Sequence, residues 1–228
     1  MLYATPAVGF YSWAMAAKKQ TAELPGGRQA AYSARNKARL IKDAQIVLAE
    51  IGPSATIEQI AAHAEVSPTT IYKYFENKDE LFIQALGEMW HKWISWAFAQ
   101  TSTTNDLEAV VEVQRRLFRV KETHPDLAMV LHNTLKEMPD FFIEADEQIA
   151  KRVFNELASS GQLNNENFEY RYRLWESTSI GLLSSVHVTE TLSAAEADVA
   201  MAIGMSLWGI SEAKAKKLIS RPLGLASI

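Results

Sequence analysis

The sequence of 228 residues contains no cysteine. Without thiols the chain cannot form a disulfide framework, a thiolate metal site or a cysteine nucleophile. A chain of this length buries a sufficient hydrophobic core without disulfides. The absence is typical of proteins from reducing compartments, and we expect a cytoplasmic protein.

Long apolar runs are also missing, and none approaches the roughly 18 residues that a membrane span requires. The amino terminus, MLYATPAVGFYSWAMAAKK, is apolar, but its first positive charge, Lys18, follows the apolar part. A secretory signal carries its positive charge before the apolar part. We therefore expect residues 1–32 to form a loosely held arm, of open role, and we expect no membrane partner.

Motifs for catalysis and metal binding are lacking as well. The sequence has no glycine-rich phosphate loop, no nucleophile elbow and no recognisable Ser/His/Asp arrangement. His91, His124, His132 and His187 form neither a close pair at i, i+4 nor a cluster with carboxylates. We expect no enzyme activity, no metal site and no cofactor.

Strand-like alternation of apolar and polar residues is absent, and apolar residues recur at helical spacing instead. The pattern predicts an all-α fold of about nine helices. The last two long helices are predicted at about 167–190 and 194–213.

The stretch ATIEQIAAHAEVSPTTIYKYFENKDELF, residues 55–82, contains three helix starts in succession. Each start has a side chain that can cap the first backbone N–H groups. These are Thr56 with Gln59 three residues later, Ser67 followed by Pro68, and Asn77 with Glu80. An earlier helix runs through Leu40 and Val47 and stops at Gly52-Pro53.

The helices that start at Thr56 and Ser67 are separated only by about His63 to Val66, so they must cross steeply. This is the geometry of a helix-turn-helix, whose second helix enters the major groove of DNA. Hydroxyl, tyrosine and lysine side chains suit contacts with phosphates and base edges. The predicted contacts from these residues are Arg35, Thr56, Ser67, Thr69, Thr70, Tyr72, Lys73 and Lys78. Ile71, Phe75 and Leu81 are expected in the core.

Net charge is −4, but it is unevenly distributed. Residues 1–78 carry 9 Lys/Arg and 6 Asp/Glu, a net of +3, while residues 79–228 carry 14 and 21, a net of −7. A basic first part and an acidic remainder suit a chain whose first part meets a polyanion, although chance scatter of surface charge would also give +3.

The run T-I-x-x-I-A-x-x-A-x-V-S-x-x-T-I-Y-x-Y-F-x-N-K-x-E-L, from Thr56 to Leu81, resembles the amino-terminal domain of TetR-family transcriptional regulators. The resemblance covers about residues 34–90. It implies a helix-turn-helix domain at 33–80, a ligand-binding and dimerisation domain at 81–228, and a homodimer on a palindromic operator. It also implies repression released by a small molecule, and it adds Pro68 and Tyr74 to the predicted contacts.

Two residues depart from the family's usual pattern. Glu65 stands where the family has glycine in the turn, which implies a strained turn at a cost of about 1 kcal/mol. Pro68 replaces a commonly polar position and removes a donor. Glu65 and the small positive charge leave an alternative open, in which the chain is a helical ligand-binding or protein-interaction module that no longer reads DNA.

The part of the chain beyond residue 81 is rich in aromatic residues and methionine, which suit an apolar or aromatic effector but are equally needed for a core. The predicted pocket residues are Trp90, Trp93, Phe118, Met129 and Trp175. The last two long helices are apolar on more than one face and are the predicted dimer surface. The predicted interface residues are Leu182, Val186, Ala202, Met205 and Gly209.

Overall fold

The computed structural model describes residues 27–137 and 150–224, and these residues form helices joined by turns, without a strand. The helices are α1 (Arg28–Glu50), α2 (Ile57–His63), α3 (Pro68–Tyr72), α4 (Lys78–Ala99), α5 (Asp106–Leu117), α6 (Val120–Thr123), α7 (Pro125–Glu137), α8 (Phe168–His187), α9 (Ala194–Gly204) and α10 (Glu212–Ile219). Residues 150–159 are also helical, and Met205–Trp208 form a 3₁₀ turn. The predicted all-α fold is confirmed.

Within the described ranges, no helix combines the length and apolarity needed to cross a bilayer. The greater part of the predicted arm, residues 1–26, lies outside the described residues.

Two compact units divide the chain after Trp96. In the first unit, α1 to α4 enclose one apolar core, to which α1 contributes Leu40, Ile41, Ala44, Val47 and Leu48. The Gln45 side chain donates a hydrogen bond to the Ala85 carbonyl at 3.1 Å and joins α1 to α4. The predicted domain limits at residues 33 and 81 stay predictions, since α1 begins before the first and α4 runs through the second.

Side-chain caps start the three helices as predicted. Thr56 and Gln59 bond each other's backbone N–H groups at 3.3 and 2.8 Å, a reciprocal capping box. Ser67 caps α3 ahead of Pro68, and the Asn77 carboxamide oxygen accepts from the Glu80 N–H at 2.8 Å. These bonds satisfy N–H groups that the first helical turn leaves unpaired.

The second unit contains α5 to α10, and two buried ion-pair groups lie on α5. Arg116 and Glu112, each 1% exposed, lie 3.4 Å apart. Burial lowers the pKa of the Arg116 guanidinium, and the Glu112 carboxylate opposes that shift. The second group joins Arg115 of α5 to Asp198 of α9 at 3.0 Å.

The single helix predicted at 194–213 is wrong in extent. The α-helix ends at Gly204 and continues as the 3₁₀ turn. Gly209, with a left-handed φ of 75°, terminates this turn. Ser211 then caps a new helix by accepting from the Lys214 N–H at 3.3 Å.

Candidate DNA-binding surface and cavities

The turn between α2 and α3 brings the two helices into helix-turn-helix geometry. The Val66 N–H donates to the Ala61 carbonyl at 2.9 Å, and the Glu65 N–H donates to the Ala62 carbonyl at 3.2 Å. Glu65 has a φ of 52°, in the left-handed region that favours glycine. The strained turn that the sequence predicted at this position is confirmed.

Glu65→Gly is expected to stabilise the first unit by roughly 0.5–1 kcal/mol, because relief of the left-handed strain exceeds the entropy that glycine adds to the unfolded chain. Urea unfolding measures the change. Ala64→Gly is the control, since Ala64 has a right-handed φ of −76° and is 3% exposed. That change is expected to destabilise by about 1 kcal/mol. An equal decrease in the free energy of unfolding in both variants would contradict the strain at Glu65.

The third helix separates its buried and exposed residues as the sequence predicted. Ile71 and Phe75 are 0% and 2% exposed, while Tyr72 is 54% exposed and Lys73 is also exposed. The burial of Leu81 completes the predicted core set. An aromatic hydroxyl and an ammonium group therefore lie on the outer side of a helix whose inner side is fixed by packing.

Hydroxyl groups at the start of α3 are partly engaged with each other. The Thr70 N–H donates to the Ser67 hydroxyl oxygen at 3.3 Å, and the two hydroxyls share a hydrogen bond at 3.0 Å. Ser67 and Thr69 are exposed, and Pro68 and Thr70 are half-buried. The cap fixes these side chains at the amino end of α3, beside Tyr72 and Lys73.

Two further predicted contacts already have partners within the first unit. The Tyr74 hydroxyl accepts a hydrogen bond from the Asn36 carboxamide at 3.2 Å, and Tyr74 is half-buried. The Lys78 ammonium donates to the Pro53 carbonyl at 2.9 Å and lies 5.5 Å from the centre of the Phe82 ring. Both residues are held in place, and their contact with DNA stays a prediction.

The first helix carries a basic stripe that sequence reasoning found only in part. Arg35, like Thr56, is exposed, as the predicted contacts require. Spacings of four and three residues place the whole stripe on one helical face, opposite Leu40 and Ala44. The stripe consists of Arg28, Tyr32, Arg35, Arg39 and Lys42, all exposed. Residues 28–42 contain no Asp or Glu, and that charge run was the available signal.

The second unit contains two small cavities separated by shared walls. The larger has a volume of about 70 Å³ and extends between Gln114 of α5 and Trp175 of α8. The smaller, of about 20 Å³, has an apolar lining that includes Met201, Met205 and Trp208. Gln114, Phe154 and Trp175 line both cavities and therefore lie between them.

The predicted pocket residues are not all brought together. Trp175 lines both cavities. Phe118 is buried but lines neither, and Met129 is 51% exposed on α7. Trp90 and Trp93 are buried in the first unit, stacked on each other with ring centres 5.2 Å apart. Their amphipathic helix uses them for packing, a role that the sequence pattern does not distinguish from ligand binding.

The predicted interface residues lie mostly inside the protomer. Val186, Ala202 and Met205 are 9%, 9% and 3% exposed, because they are on the sides of α8, α9 and the 3₁₀ turn that face the core of the second unit. Leu182 is half-buried and Gly209 is exposed in the turn.

The apolar residues that α8 and α9 do expose are different ones. Tyr170 and Leu174 on α8 are 72% and 55% exposed, and Val199 and Ile203 on α9 are 54% and 71% exposed. Each pair is spaced by four residues and so lies on one helical face. We refer to these four residues as the outer apolar face. Isolated exposed apolar residues are common, but four large ones on two helices that contact each other make these helices candidates for an interface.

Histidines and carboxylates do not gather into a metal site in the part of the chain that the structure describes. No group of three potential ligands occurs within residues 27–137 and 150–224. His187, fully buried, has its Nε2 atom 2.9 Å from the Leu117 carbonyl oxygen, and burial lowers its pKa. The His132 Nδ1 atom lies 2.8 Å from the His187 carbonyl oxygen. Both imidazoles thus have structural partners.

Comparison with known proteins gives one family. Residues 40–85 match the family model described as bacterial regulatory proteins, tetR family. The comparison with curated proteins finds no match.

Solved structures of regulators share the fold. RolR in complex with resorcinol has a TM-score of 0.66 and 18% identity, over 85% of this chain and 97% of that chain. The fatty acid degradation regulator FadR from Bacillus halodurans gives 0.53 and 19%, over 83% and 99%. SmeT, repressor of a multidrug efflux pump of Stenotrophomonas maltophilia, gives 0.57 and 17%, over 75% and 89%. Residues 40–85 thus resemble the amino-terminal domain of bacterial regulatory proteins of the tetR family, and the chain shares the helical fold of these solved regulators.

Proposed function

We propose that the protein is a cytoplasmic transcriptional repressor that binds a palindromic DNA operator as a homodimer and leaves it when a small apolar or aromatic effector binds the second unit. The observation that carries the proposal is the exposed side of α3. The side chains of Tyr72 and Lys73 are exposed to solvent, while Ile71 and Phe75 are buried in the core of the first unit. The helix can therefore enter a major groove while this core stays intact.

Different side chains of the first unit contact the DNA bases and the DNA phosphates in this proposal. Tyr72, with the hydroxyls of Ser67, Thr69 and Thr70, meets base edges and thymine methyl groups. Lys73 and Thr56 meet phosphates, as do Arg28 and Arg35 at the amino-terminal part of the basic stripe. Pro68, Tyr74 and Lys78 complete the proposed contact surface.

The dimer is formed through the outer apolar face of α8 and α9. Pairing this face with its copy removes Tyr170, Leu174, Val199 and Ile203 from water and produces a self-complementary interface, as two-fold symmetry requires. Two copies then present two α3 helices to successive major grooves, about one duplex turn apart.

The effector site is the pair of cavities around Phe154 and Trp175. RolR, which has this fold, binds resorcinol, a small aromatic compound. The aromatic walls of the cavities in this chain suit a ligand of the same general kind. Only a ligand with different affinities for the two states of the dimer can release DNA.

Variants of α3 test the proposal on duplex DNA that flanks the chain's own gene. Tyr72→Ala is expected to weaken specific binding by roughly 1–3 kcal/mol, because it removes a base-edge contact. Lys73→Ala is expected to weaken binding to all sequences and to lower the slope of log affinity against log salt by about 1. Fluorescence anisotropy at several salt concentrations measures both effects.

Lys92→Ala is the matched control, since Lys92 is an exposed lysine of α4 in the same unit. It is expected to leave both affinity and salt slope unchanged. Wild-type protein that gives no salt-dependent, sequence-selective binding would favour a helical ligand-binding or interaction module and overturn the proposal.

A further inference from the structure

We propose that the effector is a planar aromatic molecule with a hydrogen-bond acceptor, and that Gln114 and Trp208 donate to this acceptor. The inference rests on the proposed function, whose effector it specifies. Three features of the second unit support it: two buried N–H donors, a wall of aromatic side chains, and cavities that are too small for the ligand unless their lining moves.

Two residues that line the smaller cavity carry buried N–H donors with no hydrogen-bond partner in the described part of the chain, just behind the apolar surface that the cavity exposes. These donors are the Nε2 atom of Gln114 and the Nε1 atom of Trp208. An indole N–H can only donate, and Trp208 is 2% exposed. Most buried polar groups have a partner, so two unpaired donors at one cavity require an explanation. An acceptor atom of a bound ligand provides it.

Aromatic side chains form the walls around the same donors. The Phe154 ring lies 5.1 Å from the Trp208 ring and 5.6 Å from the Trp175 ring, between ring centres, and 5.9 Å from Tyr172. These are the separations at which aromatic rings attract each other. A planar ligand that displaces Phe154 would keep such contacts on both of its faces.

The two cavities are too small to hold such a ligand without movement of their lining. Volumes of about 70 and 20 Å³ are well below the roughly 150 Å³ that holds benzene in a protein interior. Movement of the shared wall, Phe154 or Trp175, joins the two cavities. Because the ligand fits only the joined state, its binding shifts the second unit toward that state.

Titration calorimetry of the full chain without DNA tests the inference with coumarin and naphthalene. Both probes are fused planar bicycles, but only coumarin carries carbonyl and ring-oxygen acceptors. Coumarin is expected to bind about 5- to 100-fold more tightly, since its acceptors satisfy donors that are otherwise buried and unpaired.

Three variants assign the effect to the named donors. Gln114→Met and Trp208→Phe each remove a donor and are expected to lower the coumarin-to-naphthalene affinity ratio, Gln114→Met at nearly constant volume. Trp93→Phe is the matched control, because the Trp93 Nε1 atom is also buried without a partner among the described residues but belongs to the first unit and lines neither cavity. It is expected to leave the ratio unchanged.

Equal affinity for the two probes, absence of binding by both, or a ratio that survives both donor variants would overturn the inference. DNA binding is measured separately on the same protein. Wild-type protein that binds operator DNA but neither probe would contradict the inference alone, whereas probe binding without DNA binding would contradict the proposed function.

Discussion

Asp198→Asn is expected to destabilise the protein by about 3–5 kcal/mol, because it leaves two largely buried guanidinium groups without a counter-charge. The Asp198 carboxylate is 5% exposed and accepts from Arg115 Nε at 3.0 Å and from both terminal nitrogens of Arg119 at 3.0 and 2.7 Å. Asparagine preserves the shape, but its amide NH₂ would face donors.

This ion-pair group also fixes the chain beyond α10. Arg115 donates a further hydrogen bond to the Arg221 carbonyl at 2.7 Å, and the Arg221 guanidinium pairs with Glu108. Loss of the Asp198 charge is therefore expected to loosen α9 and the chain after α10 together.

Urea and thermal unfolding measure the effect, with an expected fall of the melting temperature of roughly 6–20 °C for a chain of this size. Glu190→Gln is the control, since the Lys121–Glu190 pair at 2.6 Å is largely exposed and screened by solvent. It is expected to leave the unfolding midpoint unchanged. A loss in Asp198→Asn no greater than in this control would contradict the account of the buried group.

Leu174→Arg combined with Ile203→Arg is expected to convert the proposed dimer into monomers. Both residues belong to the outer apolar face and are 55% and 71% exposed in the protomer, so the substitutions leave its core intact. In a dimer they would bury four unpaired charges, each at a cost of several kcal/mol. The dimer dissociation constant is expected to rise by at least about 1000-fold.

Light scattering after size-exclusion chromatography measures the oligomeric state, and anisotropy measures the expected parallel loss of operator affinity. Met129→Arg is the control, because Met129 is a similarly exposed apolar residue on α7, outside this face. A dimer that survives the double variant, or one that the control disrupts, would place the interface elsewhere.

Short-range signals in the sequence predicted the first unit well. Thr56 with Gln59, and Asn77 with Glu80, make their capping bonds within three residues, so the chemistry that starts each helix is visible in the sequence itself. The strain at Glu65 was predicted from the resemblance instead, because the family has glycine at this position of the turn.

Features that depend on distant residues were not predictable. Arg115 and Asp198 are 83 positions apart, and no local pattern indicates that they meet. The apolar residues of α8 and α9 include both core and surface positions, so composition did not separate the buried Met201 from the exposed Ile203. The first turns of α1 have no apolar periodicity because residues 27–35 are exposed, and their helix was not predicted for that reason.

Selection of binding sites from a pool of random duplex DNA tests most directly whether paired α3 helices read a sequence. The proposed function predicts an enriched palindrome whose half-sites are centred about 10 base pairs apart, or a multiple of that spacing. The palindrome should be lost when the selection is repeated with Tyr72→Ala. A pool that remains random with the wild-type protein, or an enriched site without two-fold symmetry, would contradict this account.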